Sequence, residues 1–410
     1  MLGGAVITRS TRRLVAPLAA TTLVLLGLST AGPATTAEAS SCRPTTNVLS
    51  LKPATLALPG GADVRVWDTG HLANTLNETR IVAVHIPKGS LTPKVLAAPS
   101  IDSVRTPQQL ATPVANAVLV VNGGVFDPVK LGIPVESQIL STGIRKAERT
   151  PESSLAILGA DQHLDVIAAN LAGSVRIGSH SYAISGVNWQ TLASNGVAVY
   201  NRSWGRTRHA GGPVALVVAG GKVIARRTGS STTLPAASGQ TILTAPKGAY
   251  ANALAVVKVG TAVTTTMREV GTTVWDAYPH SKVADPSGML MAGGTLVRYG
   301  VNNILTCSGT GEEVRPRTVV GFLPNGDLLV VAMSGRALVN GVRWGGATNH
   351  QAADYMVRLG ARIAVKLDGG TSTTMLVRLK VGGPLYRLDR RAGDYQRATP
   401  DSLAFLAPTA

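Results

Sequence analysis

The chain has 410 residues, of which 45% are hydrophobic and 15% charged, so it can bury a sizeable core and is not disordered as a whole. Gly and Pro number 45 and 23, which favours many turns between short strands over long helical bundles. Lys and Arg total 39 against 22 acids, but no Lys/Arg-rich block is present and aromatic residues make up only 4%, which argues against a nucleic-acid partner. The excess of cations indicates either a solvated basic surface or anionic partners such as cell-surface polymers.

The N-terminal segment is typical of a secretory signal. Arginines within residues 9–13 precede the apolar stretch Leu14–Leu28, and Ala37-Glu38-Ala39 places small residues where a signal peptidase cleaves. The stretch is short and interrupted for a spanning helix of ~20 residues. We therefore expect residues 1–39 to be removed and the protein to be secreted, with a retained anchor as the alternative. The route, general or twin-arginine, stays open.

Two cysteines occur, Cys42 and Cys307. In an oxidising compartment such a pair predicts one disulfide, and two unpaired thiols are the alternative. Two cysteines without a nearby cluster of histidines do not indicate a zinc site. No dinucleotide, haem or flavin fingerprint is present, so no cofactor and no metal site are expected, although a bound divalent ion stays open. The oligomeric state is not indicated.

Short apolar or alternating runs, most of them bounded by Gly, Asn or Pro, predict strands along the chain. These runs are Ile81–Ile86, Ala117–Val121, Ser154–Leu158, Val214–Val218, Leu254–Val259, Thr318–Leu323, Leu328–Met333 and Ile363–Leu367. The turn Pro324-Asn325-Gly326-Asp327 between two of them predicts a hairpin.

Helical periodicity is scarce. The best example is Gln351–Leu359, with apolar residues at i, i+3, i+4 and i+7 and a stop at Gly360, and Thr106–Ala115 is a second candidate. The pattern predicts an α+β fold, a β-rich single domain with a mixed or antiparallel sheet and a few flanking helices. We assign residues 40–79 to a lead-in segment and residues 80–410 to the domain.

Two predicted strands end in glycine pairs next to polar side chains. The first runs into Asn122-Gly123-Gly124-Val125-Phe126-Asp127, and the second ends in Asp368-Gly369-Gly370-Thr371-Ser372-Thr373-Thr374. Glycines let a backbone approach a ligand closely, and hydroxyl groups and backbone N–H groups bind sugars or anions. An ordinary turn is the alternative for the first segment. The second is neither a P-loop nor part of a serine triad.

A third segment carries arginines near the ends of one predicted hairpin. Arg315-Pro316-Arg317 precedes its first strand, and Ser334-Gly335-Arg336 follows its second. Two arginines placed in this way can converge on an anion through their planar guanidinium groups. Exposed arginines at a sheet edge are the alternative.

Taken in order, these segments resemble the phosphodiester glycosidase family, from roughly residue 80 onward. The segments that carry the resemblance are Asn122-Gly-Gly-x-Phe126, Tyr200 with Trp204-Gly205, Gly293-Gly294-Thr295-Leu296, Arg317-Thr318-x-x-Gly321, Gly335-Arg336 and Leu367-Asp368-Gly369-Gly370-x-Ser372. Each motif is weak by itself, and their fixed order makes the set specific. The chain departs from the family pattern at Glu136, Ser334 and Thr371.

The resemblance implies a hydrolase that cleaves a sugar-1-phosphodiester at the anomeric C–O bond, releasing free sugar and a phosphomonoester. Its substrate would be a glycan or sugar phosphate of the cell envelope or the extracellular space. Two other classes stay open. One is a phosphodiesterase of envelope polymers that cleaves P–O, and the other is a non-catalytic module that binds sugar phosphates.

The resemblance also implies roles for individual residues. Asp368 would stabilise the oxocarbenium-like cation, attack it or activate water. Arg317 and Arg336 would hold the phosphate, and Asn122 and Ser372 would orient the substrate. The other residues expected to line the substrate site are Gly123, Gly124, Phe126, Asp127, Gly369, Gly370, Thr371 and Thr373. A second carboxylate is left open among Asp127, Glu136 and Asp285.

Overall fold

The computed structural model describes residues 48–68, 79–129, 132–135, 137–149, 152–205, 211–229, 239–273, 282–284, 286–291, 293–304, 313–334, 345–389 and 395–409. Strands make up most of the regular structure in these residues. Within the described ranges, no helix is long and apolar enough to cross a membrane.

Sheet I has eight strands, and every neighbouring pair is antiparallel. In spatial order they are β1 (Ala54–Ala57), β2 (Asp63–Asp68), β3 (Arg80–Ile86), β23 (Leu328–Ser334), β22 (Arg317–Phe322), β24 (Ile363–Lys366), β20 (Thr295–Arg298) and β21 (Val301–Asn302).

Sheet II has twelve strands and is also antiparallel, except that β12 and β13 run parallel. In spatial order they are β15 (Lys222–Thr228), β14 (Val214–Ala219), β16 (Thr241–Thr244), β13 (Val197–Tyr200), β12 (His180–Val187), β9 (Gly143–Glu148), β8 (Gln138–Leu140), β19 (Gly288–Met291), β10 (Glu152–Leu158), β11 (His163–Ile177), β17 (Val263–Thr273) and β18 (Lys282–Ala284).

Sheet III has five antiparallel strands, and a two-stranded ribbon lies apart from it. The strands of sheet III are β26 (Tyr386–Arg387), β25 (Met375–Val377), β5 (Ala117–Asn122), β27 (Asp401–Leu406) and β4 (Thr92–Ala97), and those of the ribbon are β6 (Phe126–Asp127) and β7 (Ile133–Pro134).

The largest hydrophobic core lies between sheets I and III. Val320 and Val365 from sheet I pack there with Val121 and Phe405 from sheet III. The opposite face of sheet I is covered as well, because Val319 and its neighbours pack against a helix. Strands with both faces buried carry continuous apolar runs instead of alternating ones, which explains why these strands were visible in the sequence.

Three α-helices flank the sheets: α1 (Pro107–Ala111), α2 (Ala249–Ala255) and α3 (Asn349–Arg358). Helix α3 begins with a capping box in which Thr348 and Gln351 satisfy each other's backbone N–H groups. It lies so close to β22 that a Cβ atom at Gly321 would come within 2.4 Å of Met356. Short 3₁₀ turns occur at Val48–Ser50, Arg202–Trp204 and Gly370–Ser372.

Most of the predicted elements are confirmed, including the hairpin around Asn325 and the helix Gln351–Leu359. The second predicted helix is confirmed but shorter, since α1 ends at Ala111. The predicted strand Leu254–Val259 is wrong: the Ala-rich segment Ala249–Ala255 forms a helix, in line with the high helix propensity of Ala, and a turn follows it.

The expected lead-in segment, residues 40–79, supplies strands to sheet I. Strand β1 pairs with β2, and β2 pairs with β3 over six residues on each side. The assigned boundary at residue 80 coincides with the first residue of β3, and the division into a lead-in segment and a domain stays a prediction. Strand β1 is partly polar, and its register with β2 is set by pairing rather than by its own composition.

Candidate active site

Three strand ends from two sheets meet at one rim of the structure. Strand β5 of sheet III ends at Asn122, Asp368 lies two residues beyond the end of β24 in sheet I, and β27 begins at Asp401. The backbone N–H of Asp368 donates to the carbonyl of Gly123 at 3.1 Å, and the N–H of Gly123 donates to the carbonyl of Asp401 at 3.2 Å. The two glycine-bearing segments singled out in the sequence are therefore joined directly.

The carboxylate of Asp368 is partly exposed and is held by its own turn. Its Oδ1 accepts from the N–H of Gly369 at 2.9 Å, and the Ser372 hydroxyl hydrogen-bonds to it. Burial raises the pKa of Asp368, while these hydrogen bonds and the charge of Arg397 act in the opposite direction. A partly buried carboxylate beside a hydroxyl and a cation can act as a base, a nucleophile or a stabiliser of positive charge.

Arg397 lies next to this carboxylate. Its Nη1 donates to Thr371 Oγ1 at 2.9 Å and lies 3.5 Å from Ser372 Oγ, and its guanidinium carbon lies 4.8 Å from the ring centroid of Phe126. The stacking and the hydrogen bonds orient the guanidinium group. We call Phe126, Asp368, Thr371, Ser372 and Arg397 the strand-end site.

Arg397 was not predicted as a site residue. It lies outside regular secondary structure, three residues after the end of the undescribed residues 390–394 and four before β27, so neither periodicity nor a glycine pair marks it. Only the folding of residues 395–400 against the Thr371 turn brings it to Asp368.

Asn122 is fully buried beneath the strand-end site. Its Nδ2 donates to the Asp368 carbonyl at 2.7 Å, and its Oδ1 accepts from Thr318 Oγ1 at 2.7 Å and from the N–H of Thr374 at 3.2 Å. These bonds tie sheets I and III together behind Asp368. Asn122 thus acts on the backbone that carries the carboxylate, and its amide group is occupied by the protein itself.

Arg317 and Lys366 form a second group of cations near the same rim. Arg317 is 8% exposed, and it donates from Nε to the Ala347 carbonyl at 3.0 Å and from Nη2 to the Glu313 carbonyl at 2.9 Å. Burial lowers the pKa of Lys366, and the neighbouring charge of Arg317 lowers it further. The aliphatic part of Lys366 lies beside Gly293 and Gly294. Lys366 was not selected from the sequence, where it reads as one polar residue in an apolar strand.

A second carboxylate, Asp401, lies beneath the Gly123-Gly124 turn. Its Oδ1 accepts from the N–H of Gly124 at 2.9 Å, and its Oδ2 accepts from Gln138 Nε2 at 2.5 Å. Burial raises the pKa of Asp401 to about 6, and the charge of Asp368 contributes to the increase. A Cβ atom at Gly123 would lie 1.8 Å from Asp401 Oδ1, so only glycine fits there.

Asp401 was not among the three carboxylates considered in the sequence. Of those, Asp127 accepts from the N–H of Val129 at 2.9 Å and so caps the turn of the β6–β7 ribbon. Glu136 and Asp285 lie outside the described residues.

The other predicted site residues divide into three groups. Phe126, Thr371 and Ser372 belong to the strand-end site, and Gly123, Gly124, Gly369 and Gly370 form the turns around it. Thr373 is buried, and its carbonyl accepts a hydrogen bond from Arg387 Nη2 at 3.4 Å. Arg336 and both members of the predicted disulfide, Cys42 and Cys307, lie outside the described residues.

Two cavities among the described residues lie away from the strand-end site. One lies at the opposite end of β22 and β24, next to Pro324, and its Asp161 and His163 pair with each other at 2.7 Å. Another of about 550 Å³ lies beside Arg145 in sheet II. Within the described ranges, no group of three or more His, Cys, Asp or Glu side chains is arranged to hold a metal ion.

Comparison with known proteins connects this geometry to a family. Residues 211–406 match the phosphodiester glycosidase family, and this range includes Arg317, Lys366, Asp368, Arg397 and Asp401. A search of curated protein sequences finds no match.

Three solved structures are similar to the chain. A protein of Synechocystis is 19% identical with a TM-score of 0.62, over 85% of this chain and 62% of that one. A Burkholderia pseudomallei protein described as exported is 19% identical with a TM-score of 0.60, over 82% and 75%. The catalytic domain of zebrafish N-acetylglucosamine-1-phosphodiester alpha-N-acetylglucosaminidase is 11% identical with a TM-score of 0.42, over 87% and 89%.

The chain spans about three fifths of the Synechocystis protein, and at 19% identity the first two likenesses show a shared fold alone. The family match is independent of them and covers most of the strand-end site. The resemblance seen in the sequence is therefore confirmed by this match: residues 211–406 of this chain match the phosphodiester glycosidase family.

Proposed function

We propose that the strand-end site hydrolyses a sugar-1-phosphodiester at the anomeric C–O bond and releases free sugar and a phosphomonoester. The observation that carries the proposal is the arrangement of Asp368, Ser372 and Arg397, in which a partly buried carboxylate lies beside a hydroxyl and an oriented cation. The family match over residues 211–406 supports the reaction class.

The proposed reaction needs little assistance from a general acid. Cleavage at the anomeric carbon develops positive charge on the sugar, while the departing phosphate is a good leaving group that keeps its negative charge. Asp368 stabilises the sugar cation, attacks it or activates the water that does. Arg397 hydrogen-bonds to Thr371 in the turn that follows Asp368, and it stabilises the departing anion.

Arg317 and Lys366 supply further positive charge for the phosphate. Among the described residues Lys366 makes no ion pair, and its neighbour Arg317 disfavours its charged form, so an anion bound between the two would relieve this repulsion. In this proposal Arg317 contacts the phosphate through its guanidinium group, which the carbonyls of Ala347 and Glu313 hold in place. Arg336 keeps the role of a second phosphate ligand.

In this proposal Asp401 is the second carboxylate, and it supports the site from beneath the Gly123-Gly124 turn. The charge of Asp368 contributes to the raised pKa of Asp401. Asn122 fixes the backbone carbonyl of Asp368 from the other side. Both are positioning residues, since their polar atoms are used within the protein.

In this proposal residues 1–39 are a secretory signal, and the hydrolase acts outside the cytoplasm on cell-envelope or extracellular glycans. The description of a structural relative from Burkholderia pseudomallei as an exported protein supports this location. Mass spectrometry of secreted material would then give an N-terminus near Ser40 and a mass two hydrogens below that of the all-thiol form, owing to a Cys42–Cys307 disulfide.

Hydrolysis of a synthetic alkyl sugar-1-phosphodiester in ¹⁸O-water tests the reaction. We expect the label in the sugar, because water replaces the phosphate at the anomeric carbon. Label in the phosphate would instead show P–O cleavage by a phosphodiesterase, and binding without any label would show a non-catalytic module. Either result overturns the proposal. Asp368→Asn serves as the paired variant and should abolish the incorporation.

A further inference from the structure

Positive charge is distributed very unevenly along the chain. Residues 166–275 contain ten Lys and Arg and a single acid, Glu269, whereas the other 300 residues contain 29 Lys and Arg and 21 acids. Somewhat more than half of the net charge of +17 thus comes from about a quarter of the chain. This segment forms the outer part of sheet II, from β12 to β15 with α2 and β17.

In the folded protein these cations face solvent and the acid does not. Glu269 is 1% exposed. All eight cations of this segment that the structure describes are exposed: Arg176, Arg202, Lys222, Arg226, Arg227, Lys247, Lys258 and Arg268. Positive charge at this surface is therefore not offset by exposed acids of the same segment, and it produces a field that extends about a Debye length, ~8 Å in physiological salt.

Several of the cations are brought together at one edge of sheet II. Strand β15 is the terminal strand, and Lys222 forms a β-bridge with Ala262. The same residue, Ala262, accepts from the N–H of Gly178 at 2.9 Å, two residues after Arg176. The turn that begins at Lys258 is fixed to this edge as well, through a 2.7 Å bond from the N–H of Gly260 to the Val223 carbonyl.

We call Arg176, Lys222, Arg226, Arg227 and Lys258 the basic edge. Arg226 has a structural role, since its guanidinium group donates to the carbonyls of Ala255 and Val257 at the C-terminal end of α2. The side chains of Lys222, Arg227 and Lys258 make no hydrogen bond or ion pair with any other described residue, so their charges are available to a partner.

We infer that the basic edge is a docking surface for an anionic polymer, one that carries repeated phosphate or carboxylate groups. Charge complementarity carries the inference, because several exposed cations at one sheet edge match a partner with repeated negative charge. The surface consists of β11, β15 and the loop 256–262, and none of these elements contributes a residue to the strand-end site. The inference therefore goes beyond the proposed reaction and does not depend on it.

Two other anionic partners fit this surface less well. Nucleic acids are held in part by bases that stack on exposed aromatic rings, and the exposed aromatic residues of the described chain, Tyr299, Tyr386 and Tyr395, all lie outside residues 166–275. A membrane surface would be anchored by Trp, Phe or Leu side chains, whereas the exposed apolar residues here are Ile224, Val256 and Val259.

Long-chain inorganic polyphosphate is a suitable probe for the test. It repeats a phosphate charge but has no glycosidic bond, so its binding reports the surface and not turnover at Asp368. We expect the full chain to bind polyphosphate with an affinity that falls steeply as the salt concentration rises. The reason is that the Lys and Arg side chains displace counterions from the polymer when they bind to it. Neutral dextran should not bind.

A pair of triple variants separates the basic edge from net charge in general. Arg176→Gln, Lys222→Gln and Lys258→Gln together should weaken polyphosphate binding at least ~10-fold and reduce the salt slope by about 2, at ~0.7 per lost phosphate contact. The matched control, Lys52→Gln, Lys94→Gln and Lys380→Gln, removes the same charge from exposed positions elsewhere and should change binding less than ~3-fold.

The inference is wrong if polyphosphate does not bind, or if the control triple weakens binding as much as the first triple. Preferential binding to vesicles of anionic lipid over polyphosphate would show a membrane surface instead. Asp368→Asn should bind polyphosphate like the parent chain. A variant that loses turnover but still binds polyphosphate would contradict neither proposal, and the same holds for a variant that binds polyphosphate weakly but keeps its turnover. The two proposals can therefore fail independently.

Discussion

The strand-end site and the basic edge use charge in opposite ways. At the strand-end site, Asp368 and Arg397 are held by backbone and hydroxyl groups in a partly buried place, where burial shifts the pKa of the carboxylate. At the basic edge, Lys222 and Lys258 project into solvent. A charge that is fixed and partly dehydrated interacts strongly with the atoms in contact with it. A solvated charge is screened, so many such charges are needed to attract a partner. The first region is suited to chemistry and the second to attraction.

Replacing Asp368 should have the largest effect. Asp368→Asn keeps the shape and the acceptor for Gly369 but removes the negative charge, so we expect a loss of at least ~100-fold in kcat on a sugar-1-phosphodiester with a near-parental Tm. Asp161→Asn, at an exposed carboxylate, is the matched control and should keep its activity. Retained turnover in Asp368→Asn would remove the carboxylate from the mechanism, and the ¹⁸O measurement on the parent chain stays decisive if the variant does not fold.

The next largest effects are expected from replacing Arg317 and Arg397, which should differ in how they change stability and activity. Arg317→Lys removes the donors to the Ala347 and Glu313 carbonyls, so it should lower Tm by an amount equivalent to ~1–3 kcal/mol as well as reduce activity. Arg397→Lys affects contacts with side-chain hydroxyls and, among the described residues, no backbone carbonyl, and it should reduce kcat ~10- to 100-fold with little change in Tm. Melting curves and kinetics of both variants check this contrast. The opposite pattern would exchange the structural and catalytic roles of the two side chains.

Asp401 gives a prediction about stability and pH. Its raised pKa of about 6 means that the folded state binds a proton more tightly than the unfolded state, so the free energy of unfolding falls as pH rises from about 4 to about 6 and stays lower above that range. Asp401→Asn removes this loss. The variant should be more stable than the parent by about 2 kcal/mol at pH 7, and by much less at pH 4.

The geometry around Gln138 supports this expectation. Gln138 Oε1 is buried without a hydrogen-bond partner among the described residues, and a flipped Gln138 amide could accept from the new Nδ2 group. Denaturant unfolding at the two pH values measures the effect. Equal destabilisation at both would show instead that the charge of Asp401 is required.

His85 should give the smallest effect. Burial lowers the pKa of His85, but its hydrogen bonds to Asp327 and Asp63, at 2.8 and 2.9 Å, outweigh this and raise the pKa overall. The stabilisation is present below pH ~6.5 and is lost as pH rises through the pKa of the folded state. His85→Asn should make Tm depend less on pH between about pH 6 and 8. The difference corresponds to less than ~1 kcal/mol in the free energy of unfolding. An unchanged pH dependence of Tm would show that His85 does not titrate between about pH 6 and 8.

The sequence revealed the parts of the fold that are buried on both faces. Strands such as Thr318–Leu323 and Ile363–Leu367 were visible because two covered faces demand a continuous apolar run. Leu254–Val259 was wrong for the same reason, since a short apolar run does not distinguish a strand from the end of a buried helix. Strand β1 was missed because most of its residues are exposed.

By itself the sequence indicated a resemblance to the phosphodiester glycosidase family, and it placed Asp368 at the end of a buried strand, because a glycine pair after a buried strand is a local feature. It also placed Asn122 at the same rim, but not its orientation beneath the carboxylate, which depends on Thr318 and Thr374. Arg397 and Asp401 join Asp368 only through tertiary structure, and Lys366, two residues before Asp368, meets Arg317 in the same way. They come from a loop and two strand ends that no local pattern marks, and it is the packing of sheet I against sheet III that brings their charges together.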